Sequence, residues 1–128
     1  MLKRYLLAGS TLLAITAAQA EDYSSSYTQC MDKASSTLAM GACIQAETKL
    51  QDERLNRVYK QLMAKLEDQQ QKDLREVQRS WIKYRDGNCA FHGTLSSGSL
   101  YRIEGAMCAM DMTKDRAAEL ERVLSPGQ

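Results

Sequence analysis

The chain of 128 residues contains a single proline and a single histidine, and each scarcity narrows what the protein can be. Pro126 lies near the C-terminus, so no proline breaks the long stretch of sequence before it. His92 has no second histidine to join it at a metal ion, and no clearly placed carboxylate to orient it beside a serine. The sequence therefore favours long helices and argues against histidine-based catalysis. We expect no metal and no cofactor.

Neither glycine nor charge is concentrated anywhere in the chain. The seven glycines are scattered, which leaves no glycine-rich loop of the kind that cradles a phosphate. The 17 basic residues stand against 16 acidic ones, and this near-neutral balance gives no reason to expect nucleic acid or an anionic membrane as partner. No pair of carboxylates stands apart from the solvated helix faces, as glycan hydrolysis would need. We therefore predict that the protein is not an enzyme.

The first twenty residues have the pattern of a secretory signal peptide. Lys3 and Arg4 form a charged start, Tyr5 to Ala18 an apolar run, and Ala18-Gln19-Ala20 a small-residue cleavage site before Glu21. The alternative, a membrane anchor, is disfavoured because the run is too short to span a bilayer comfortably. No cysteine lies near the cleavage site, so we expect no lipid anchor. The prediction is a periplasmic or secreted protein in which residues 21–128 form one domain.

All four cysteines, Cys30, Cys43, Cys89 and Cys108, lie in the part predicted to be exported. An even number in an oxidising compartment predicts two disulfides, and a metal site is the weaker alternative because no C-x-x-C spacing occurs. Bridged residues need Cα atoms within about 7 Å of each other. In a straight helical hairpin that turns near Gln70, Cys89 would lie opposite about Leu50, and Cys43 would be roughly 10 Å further along the axis, which disfavours a bridge between Cys43 and Cys89. The pairs Cys30–Cys43 and Cys89–Cys108 are therefore favoured.

Helical periodicity predicts an all-α fold, with a long antiparallel helical hairpin followed by a C-terminal helix. The first helix should run from about Leu38 to about Asp68, after a loose segment from Glu21 to Thr28. Its apolar stripe consists of Cys43, Ala46, Leu50, Leu55, Val58, Leu62 and Leu66.

The second predicted helix runs from about Asp73 to about Asp86, with one face formed by Leu74, Val77, Trp81 and Tyr84. Gly87 is the predicted C-terminal cap of this helix, because glycine adopts the left-handed conformation at little cost. Glycines and hydroxyl side chains predict a loop from Ala90 to Ser99. The third helix begins at Ser99 or nearer Gly105, and the pattern alone does not decide between them.

Four short motifs cover nearly the whole exported part of the chain. They are Thr37-x-x-Met-x-x-Cys43, Asp52-x-x-Leu55-Asn56-x-x-Tyr59, Gln78-x-x-Trp81-Ile82-x-Tyr84-Arg85-Asp86-x-x-Cys89, and Cys108 followed by Thr113-x-x-Arg116-x-x-x-Leu120. With these motifs the chain resembles the LprI-like family, the small secreted proteins related to the N-terminal domain of the lysozyme inhibitor LprI. The resemblance implies a helical, disulfide-linked, exported domain and a role in blocking lysozyme. The lysozyme-inhibiting relative looks like a lipoprotein, and this chain lacks the cysteine for lipid attachment.

A first group of side chains is predicted to hold the helices together. Trp81 and Tyr84 are expected in the core, since an aromatic stripe at helical spacing usually is, with a binding surface as the alternative. Charged and polar residues beside them predict a network joining the helices, with Arg85 paired to Asp52 or Arg116 to Asp86. The alternative is a polar pocket that recognises a ligand. The full set is Asp52, Asn56, Tyr59, Trp81, Tyr84, Arg85, Asp86 and Arg116.

A second group lies between Cys89 and Cys108 and is the candidate binding surface. A disulfide there would pre-organise the segment, and its donors and cations suit the two carboxyl groups of a lysozyme cleft. The alternative is a plain connecting loop. The residues are His92, Thr94, Ser96, Ser97, Ser99, Tyr101 and Arg102.

Two functions from different classes follow from these residues. The first is a non-enzymatic protein that binds and inhibits a lysozyme. The second is a structural interaction module of the cell envelope, in which a charged helix face docks another protein or two copies associate through their helices. The sequence leaves the target and the oligomeric state open.

Overall fold

A computed structural model of the protein describes residues 23–127, and four α-helices make up most of that range. They are α1 (Ser25–Lys33), α2 (Thr37–Met63), α3 (Asp68–Thr94) and α4 (Leu100–Leu124). No β-strand occurs between residues 23 and 127, so the all-α prediction is confirmed. The predicted signal peptide lies outside the described residues.

Both predicted disulfides are present. The Cα atoms of Cys30 and Cys43 lie 5.7 Å apart, and those of Cys89 and Cys108 lie 5.4 Å apart. The first bridge ties α1 to α2, and the second ties α3 to α4. All four cysteines are therefore oxidised.

Helix α4 is the element on which the long helices pack. It contacts both α2 and α3 extensively, whereas α2 and α3 make little direct contact with each other. Helix α2 runs in the same direction as α4, because Thr37 meets Ser99 near their N-termini and Arg54 pairs with Glu121 further along. Helix α3 runs the opposite way. The predicted antiparallel hairpin of α2 and α3 is therefore present, and α4 holds its two arms.

Two apolar clusters form the core, one at each end of the α2–α4 contact. The first is where α2, α3 and α4 meet, and its buried members are Leu55, Val58, Leu62, Ala117 and Leu120. The second lies under α1, where Tyr23, Tyr27 and Met31 cover the buried residues Ile44, Ile103 and Met110.

The apolar stripe of α2 differs from the prediction in its first half. Ala46 and Leu50 are exposed, and their predicted places toward the core are taken by Glu47 and Gln51, which are buried. Polar side chains can occupy such positions when hydrogen bonds satisfy them. The core face of α2 is therefore apolar at Cys43 and Ile44, polar at Glu47 and Gln51, and apolar again from Leu55 onward.

Helix α1 was not predicted, because its composition is polar and none of its residues is buried. Ser24 caps it, since its Oγ accepts a hydrogen bond of 3.1 Å from the backbone N–H of Tyr27. Tyr27 then packs on the second apolar cluster, and Cys30 is bridged to Cys43. A nine-residue helix is marginal by itself, so these contacts to α2 and α4 hold it in place.

The predicted end of the second long helix was wrong. Helix α3 continues through Gly87, which has no left-handed backbone conformation, and ends at Thr94. Buried Gly93 allows the extension to pack closely against Tyr101. The predicted loop from Ala90 to Ser99 therefore shrinks to residues 95–99. The third predicted helix, α4, starts at Leu100, near the earlier of its two candidate positions.

Replacing Gly87 with alanine is expected to raise the free energy of unfolding by about 0.5–1 kcal/mol, because glycine inside a helix is less favourable than alanine. An added Cβ would meet nothing within 4 Å. Gly93→Ala is the matched control and should not gain, since its Cβ would lie 3.2 Å from the Tyr101 carbonyl oxygen. Urea denaturation of both variants measures the difference. A loss of stability in Gly87→Ala would contradict the helical conformation of Gly87 and would favour its predicted role as a helix cap.

Candidate functional site

Trp81 lies between two arginines at the interface of α3 and α4. The guanidinium carbon of Arg85 is 5.0 Å from the centre of the Trp81 ring, and that of Arg116 is 5.9 Å away. The indole ring is partly buried and packs against the first apolar cluster. Each arginine stacked on the ring face adds a cation–π attraction to this packing. We call Trp81, Arg85 and Arg116 the tryptophan layer.

The two arginines do not pair as predicted. Arg85 forms an ion pair of 2.9 Å with Asp86 and donates a 3.3 Å hydrogen bond to the Thr113 hydroxyl. Arg116, which is buried, pairs with Glu119 at 2.8 Å on its own helix.

Arg116 also reaches the neighbouring helix, because it donates a 3.1 Å hydrogen bond to Gln78 Oε1. Both arginines therefore join α3 to α4 through neutral acceptors, Thr113 and Gln78, while their carboxylate partners are sequence neighbours. The pairs Arg85–Asp52 and Arg116–Asp86 are not among the ion pairs of residues 23–127.

The remaining residues of the first group are spread over different environments. Tyr59 is half-buried and packs against the first apolar cluster. Asp52 and Asn56 are exposed on α2. Tyr84 is 63% exposed, so its predicted place in the core is wrong. The reason is that α4 covers the side of α3 that carries Trp81 and Arg85, and Tyr84 points away from it.

All seven residues of the predicted binding segment lie in one short helix–turn–helix. His92 and Thr94 belong to the last turn of α3, Ser96 and Ser97 to the connection, and Ser99 is the N-cap position of α4. The other two residues, Tyr101 and Arg102, begin α4. We call this set the turn surface.

Hydrogen bonds inside the turn surface limit its freedom. The hydroxyl of Thr94 donates to the carbonyl of Phe91 at 2.6 Å, and that of Ser96 donates to the Glu104 carboxylate. Arg102 Nε donates to the Tyr101 hydroxyl at 3.2 Å. Gly98 has a φ of 66°, which lets the connection reverse direction without strain. The turn surface is therefore built on two helix ends and one ordered turn.

Exposed apolar side chains surround the turn surface, and the sequence reasoning did not include them. Leu95 is 65% exposed, Leu100 59% and Phe91 58%, and Leu38 at the start of α2 is 87% exposed. Scattered exposed apolar residues are ordinary, but several at one end of a small protein are typical of a contact surface. The signal in the sequence was that Phe91, Leu95 and Leu100 fit no predicted apolar stripe.

A buried carboxylate fastens α1 to the rest of the protein. Glu47 is only 1% exposed and accepts hydrogen bonds from the backbone N–H of Ser24 at 3.1 Å, from the Ser24 hydroxyl, and from Gln51 Nε2 at 2.8 Å. Burial by itself would raise the pKa of Glu47, but these hydrogen bonds and the nearby Lys114 outweigh it and lower the pKa. Glu47 therefore stays ionised in the folded protein.

The lowered pKa of Glu47 predicts how the free energy of unfolding changes in acid. In the unfolded chain the pKa of this carboxyl is near its ordinary value of 4.5. The stability that ionised Glu47 contributes to the fold is therefore fully present above that pH, and it is lost as the pH falls through the lower pKa of the folded state. Glu47→Gln should lower the free energy of unfolding at neutral pH by about 1.5–3 kcal/mol, and by less in acid.

Denaturant titrations of both proteins at several pH values measure this difference. Burial raises the pKa of Asp111, and this opposes the loss of stability in acid in both proteins. The quantity to compare is therefore the gap between wild type and variant. A gap of constant size across the pH range would contradict the assignment.

These features define a class of small helical proteins. Helices α2 and α4 form the central pair, one disulfide links α1 to α2, and the other links α3 to α4. The family model described as lysozyme inhibitor LprI matches residues 30–120, and the chain belongs to this family. An uncharacterised protein of Rhizobium meliloti (strain 1021) is 27% identical over 110 residues, which covers 75% of this chain and 79% of the relative. No solved structure matches the chain. Within residues 23–127, no helix combines the length and apolar character that crossing a membrane requires.

Proposed function

We propose that the protein is an exported, non-enzymatic inhibitor of lysozyme. The observation that carries the proposal is the match of residues 30–120 to the lysozyme inhibitor family. Residues 1–20 serve as the signal peptide, and residues 21–128 act as a single domain in the periplasm or outside the cell. Two disulfides support this location, because such bonds persist in oxidising compartments.

The turn surface is the part of the protein that we assign to the contact with lysozyme. A glycosidase cleft holds two carboxyl groups, and an inhibitor has to present donors or cations to them on a rigid support. Arg102 supplies the cation and Ser97 an exposed hydroxyl. The bridge between Cys89 and Cys108 holds the helix ends behind them, which reduces the ordering cost of binding.

The exposed apolar side chains give the same surface a means of gaining affinity. Interfaces have an apolar centre surrounded by polar groups, and a few central residues supply most of the binding energy. Leu95 and Leu100 flank the polar residues of the turn, and Tyr101 adds an aromatic ring that is 44% exposed. No chemical step is needed, and oxidation of all four cysteines leaves no thiol to act as a nucleophile.

The proposal is tested by lytic assays with lysozymes of several classes and one pair of variants. Leu100→Asp places a charge between Ser99 and Tyr101 of the turn surface and should weaken inhibition by about tenfold or more. Val123→Asp is the matched control, because Val123 is 55% exposed and lies about 35 Å away along α4. Equal inhibition by the two variants would place the contact elsewhere.

A structural envelope module remains the second candidate, and one observation favours it. Val77 and Tyr84, seven residues apart on α3, are 52% and 63% exposed. They share one outer face of the helix, which a second copy or another envelope protein would cover. Light scattering on the purified protein separates the two functions, since a stable dimer disrupted by Val77→Asp favours the structural role.

A further inference from the structure

A cleft of about 1040 Å³ opens between α2 and α4, and none of its lining residues belongs to α1. Its walls are one face of each helix, and α3 contributes a single residue, Arg85, at one end. Ligand sites in proteins are typically concave, of roughly 300–1,000 Å³, and mostly apolar with a few placed polar groups. The cleft has this size and this composition.

Small side chains create the space between the two helices. Gly41 lies on the α2 wall, and Ala106 and Ala109 lie on the α4 wall. A Cβ at Gly41 would stand 3.9 Å from the Cδ1 atom of Ile103, so even there the walls are only in ordinary contact. Ile103 and Ile44, both buried, form the apolar floor.

The charged groups of the cleft are mainly cationic. Lys49, Arg85 and Arg102 line it, against the single carboxylate of Asp52. Arg85 is held in place by its hydrogen bond to the Thr113 hydroxyl, which also lines the cleft, and by stacking on Trp81. The Nε atom of Arg85 is ion-paired with Asp86, so an anion in the cleft would be bound by the remaining guanidinium donors of Arg85 together with Lys49.

Polar groups lie at both ends of the cleft, and its most apolar part lies between them. Lys49, Asp52 and Arg85 lie at the inner end, and Arg102 and Ser99 lie beside Leu38 at the outer end, about 20 Å away along α2. Between them the floor and the walls consist largely of Ile103 and the small residues.

We propose that this cleft binds an elongated amphipathic anion. The anionic head contacts Arg85 and Lys49, and the apolar body lies over Ile103 toward Leu38. The cleft shares Ser99 and Arg102 with the turn surface, but the proposal does not rest on lysozyme inhibition, because the probes below are small molecules and the readout involves no lysozyme.

Calorimetric titration with three twelve-carbon probes, each kept below its critical micelle concentration, tests the proposal. Dodecanoate carries the anionic head, dodecanol a neutral head and dodecyltrimethylammonium a cationic head. We expect saturable binding of one dodecanoate per chain, about tenfold or more tighter than dodecanol, and no binding of the cation. Equal affinity for the three probes would overturn the proposal, since it would mean unspecific apolar adsorption.

Matched variants locate the binding. Lys49→Gln should weaken dodecanoate about tenfold and leave dodecanol unchanged, whereas Lys60→Gln, on the same helix outside the cleft, should change neither. Ala109→Leu should abolish binding of both probes by filling the cleft, with Ala90→Leu on the exposed face of α3 as control. Lys49 is exposed, so the test stands even if Ala109→Leu does not fold. Wild-type affinity in Lys49→Gln would contradict the assignment.

Discussion

Replacing Trp81 with alanine is expected to lower the free energy of unfolding by about 3–5 kcal/mol, the range for removing a large aromatic side chain from a packed site. The ring supports the first apolar cluster and is the platform for Arg85 and Arg116. Without it, buried Arg116 keeps its charge and loses its stacking partner, which adds to the cavity cost. Urea denaturation followed by circular dichroism measures the change.

Trp81→Phe is the control for this prediction, because it keeps an aromatic face for both arginines. It should cost about 1–2 kcal/mol, well below the alanine variant. If the alanine variant lost under about 1 kcal/mol, Trp81 would be a surface residue and the tryptophan layer would have no structural role.

The second large effect concerns the disulfide between α3 and α4. Changing Cys89 and Cys108 together to serine should lower the free energy of unfolding by about 3 kcal/mol, as expected for a bridge that closes a loop of this length. The same change should weaken lysozyme inhibition, because the turn surface lies between the bridged residues and loses its tether. Denaturation and lytic assays on one preparation measure both effects.

The bridge between Cys30 and Cys43 is the matched comparison for the preceding double change. Its loss should cost a similar free energy, about 3 kcal/mol, because the closed loop is only slightly shorter. Loss of the Cys30–Cys43 bridge releases α1 but leaves the turn surface tethered, so the protein that remains folded should still inhibit lysozyme. Equal loss of inhibition in both double variants would mean that inhibition depends on overall stability and not on the turn surface.

The disulfide pairing was predicted correctly, but one reason given for it was wrong. The turn between α2 and α3 lies at residues 64–67 and not near Gln70, so Cys89 is level with about residue 42 and the axial distance does not exclude a bridge to Cys43. The pairs found join cysteines that are close in sequence, 13 and 19 residues apart. The apolar stripe from Leu55 to Leu66 was predictable for a similar reason, since helical periodicity is a local property of the sequence.

The elements that were missed depend on contacts between distant residues. Helix α1 forms because Glu47, twenty-three residues beyond Ser24, accepts the hydrogen bonds of its N-cap. Helix α3 passes Gly87 because Gly93 packs beneath Tyr101. Local propensity favoured a loose segment and a helix end at these places, and tertiary packing overrode both.

The candidate site shows the same division between local and distant information. The seven residues of the turn surface were selected for their chemistry, and the helix–turn–helix places them together. The partners of Arg85 and Arg116 were not predictable, because neighbours such as Asp86 and Glu119 compete with distant acids and the winner depends on side-chain direction.

The most direct test of the central claim is a titration of lysozyme activity with the oxidised protein of residues 21–128. If the protein is a non-enzymatic inhibitor that binds through one surface, the lytic rate should fall until about one equivalent has been added, independent of incubation time. An unchanged lytic rate at a large excess of the protein would contradict the claim. So would a slow loss of activity at far less than one equivalent, because that would require the protein to act as a catalyst.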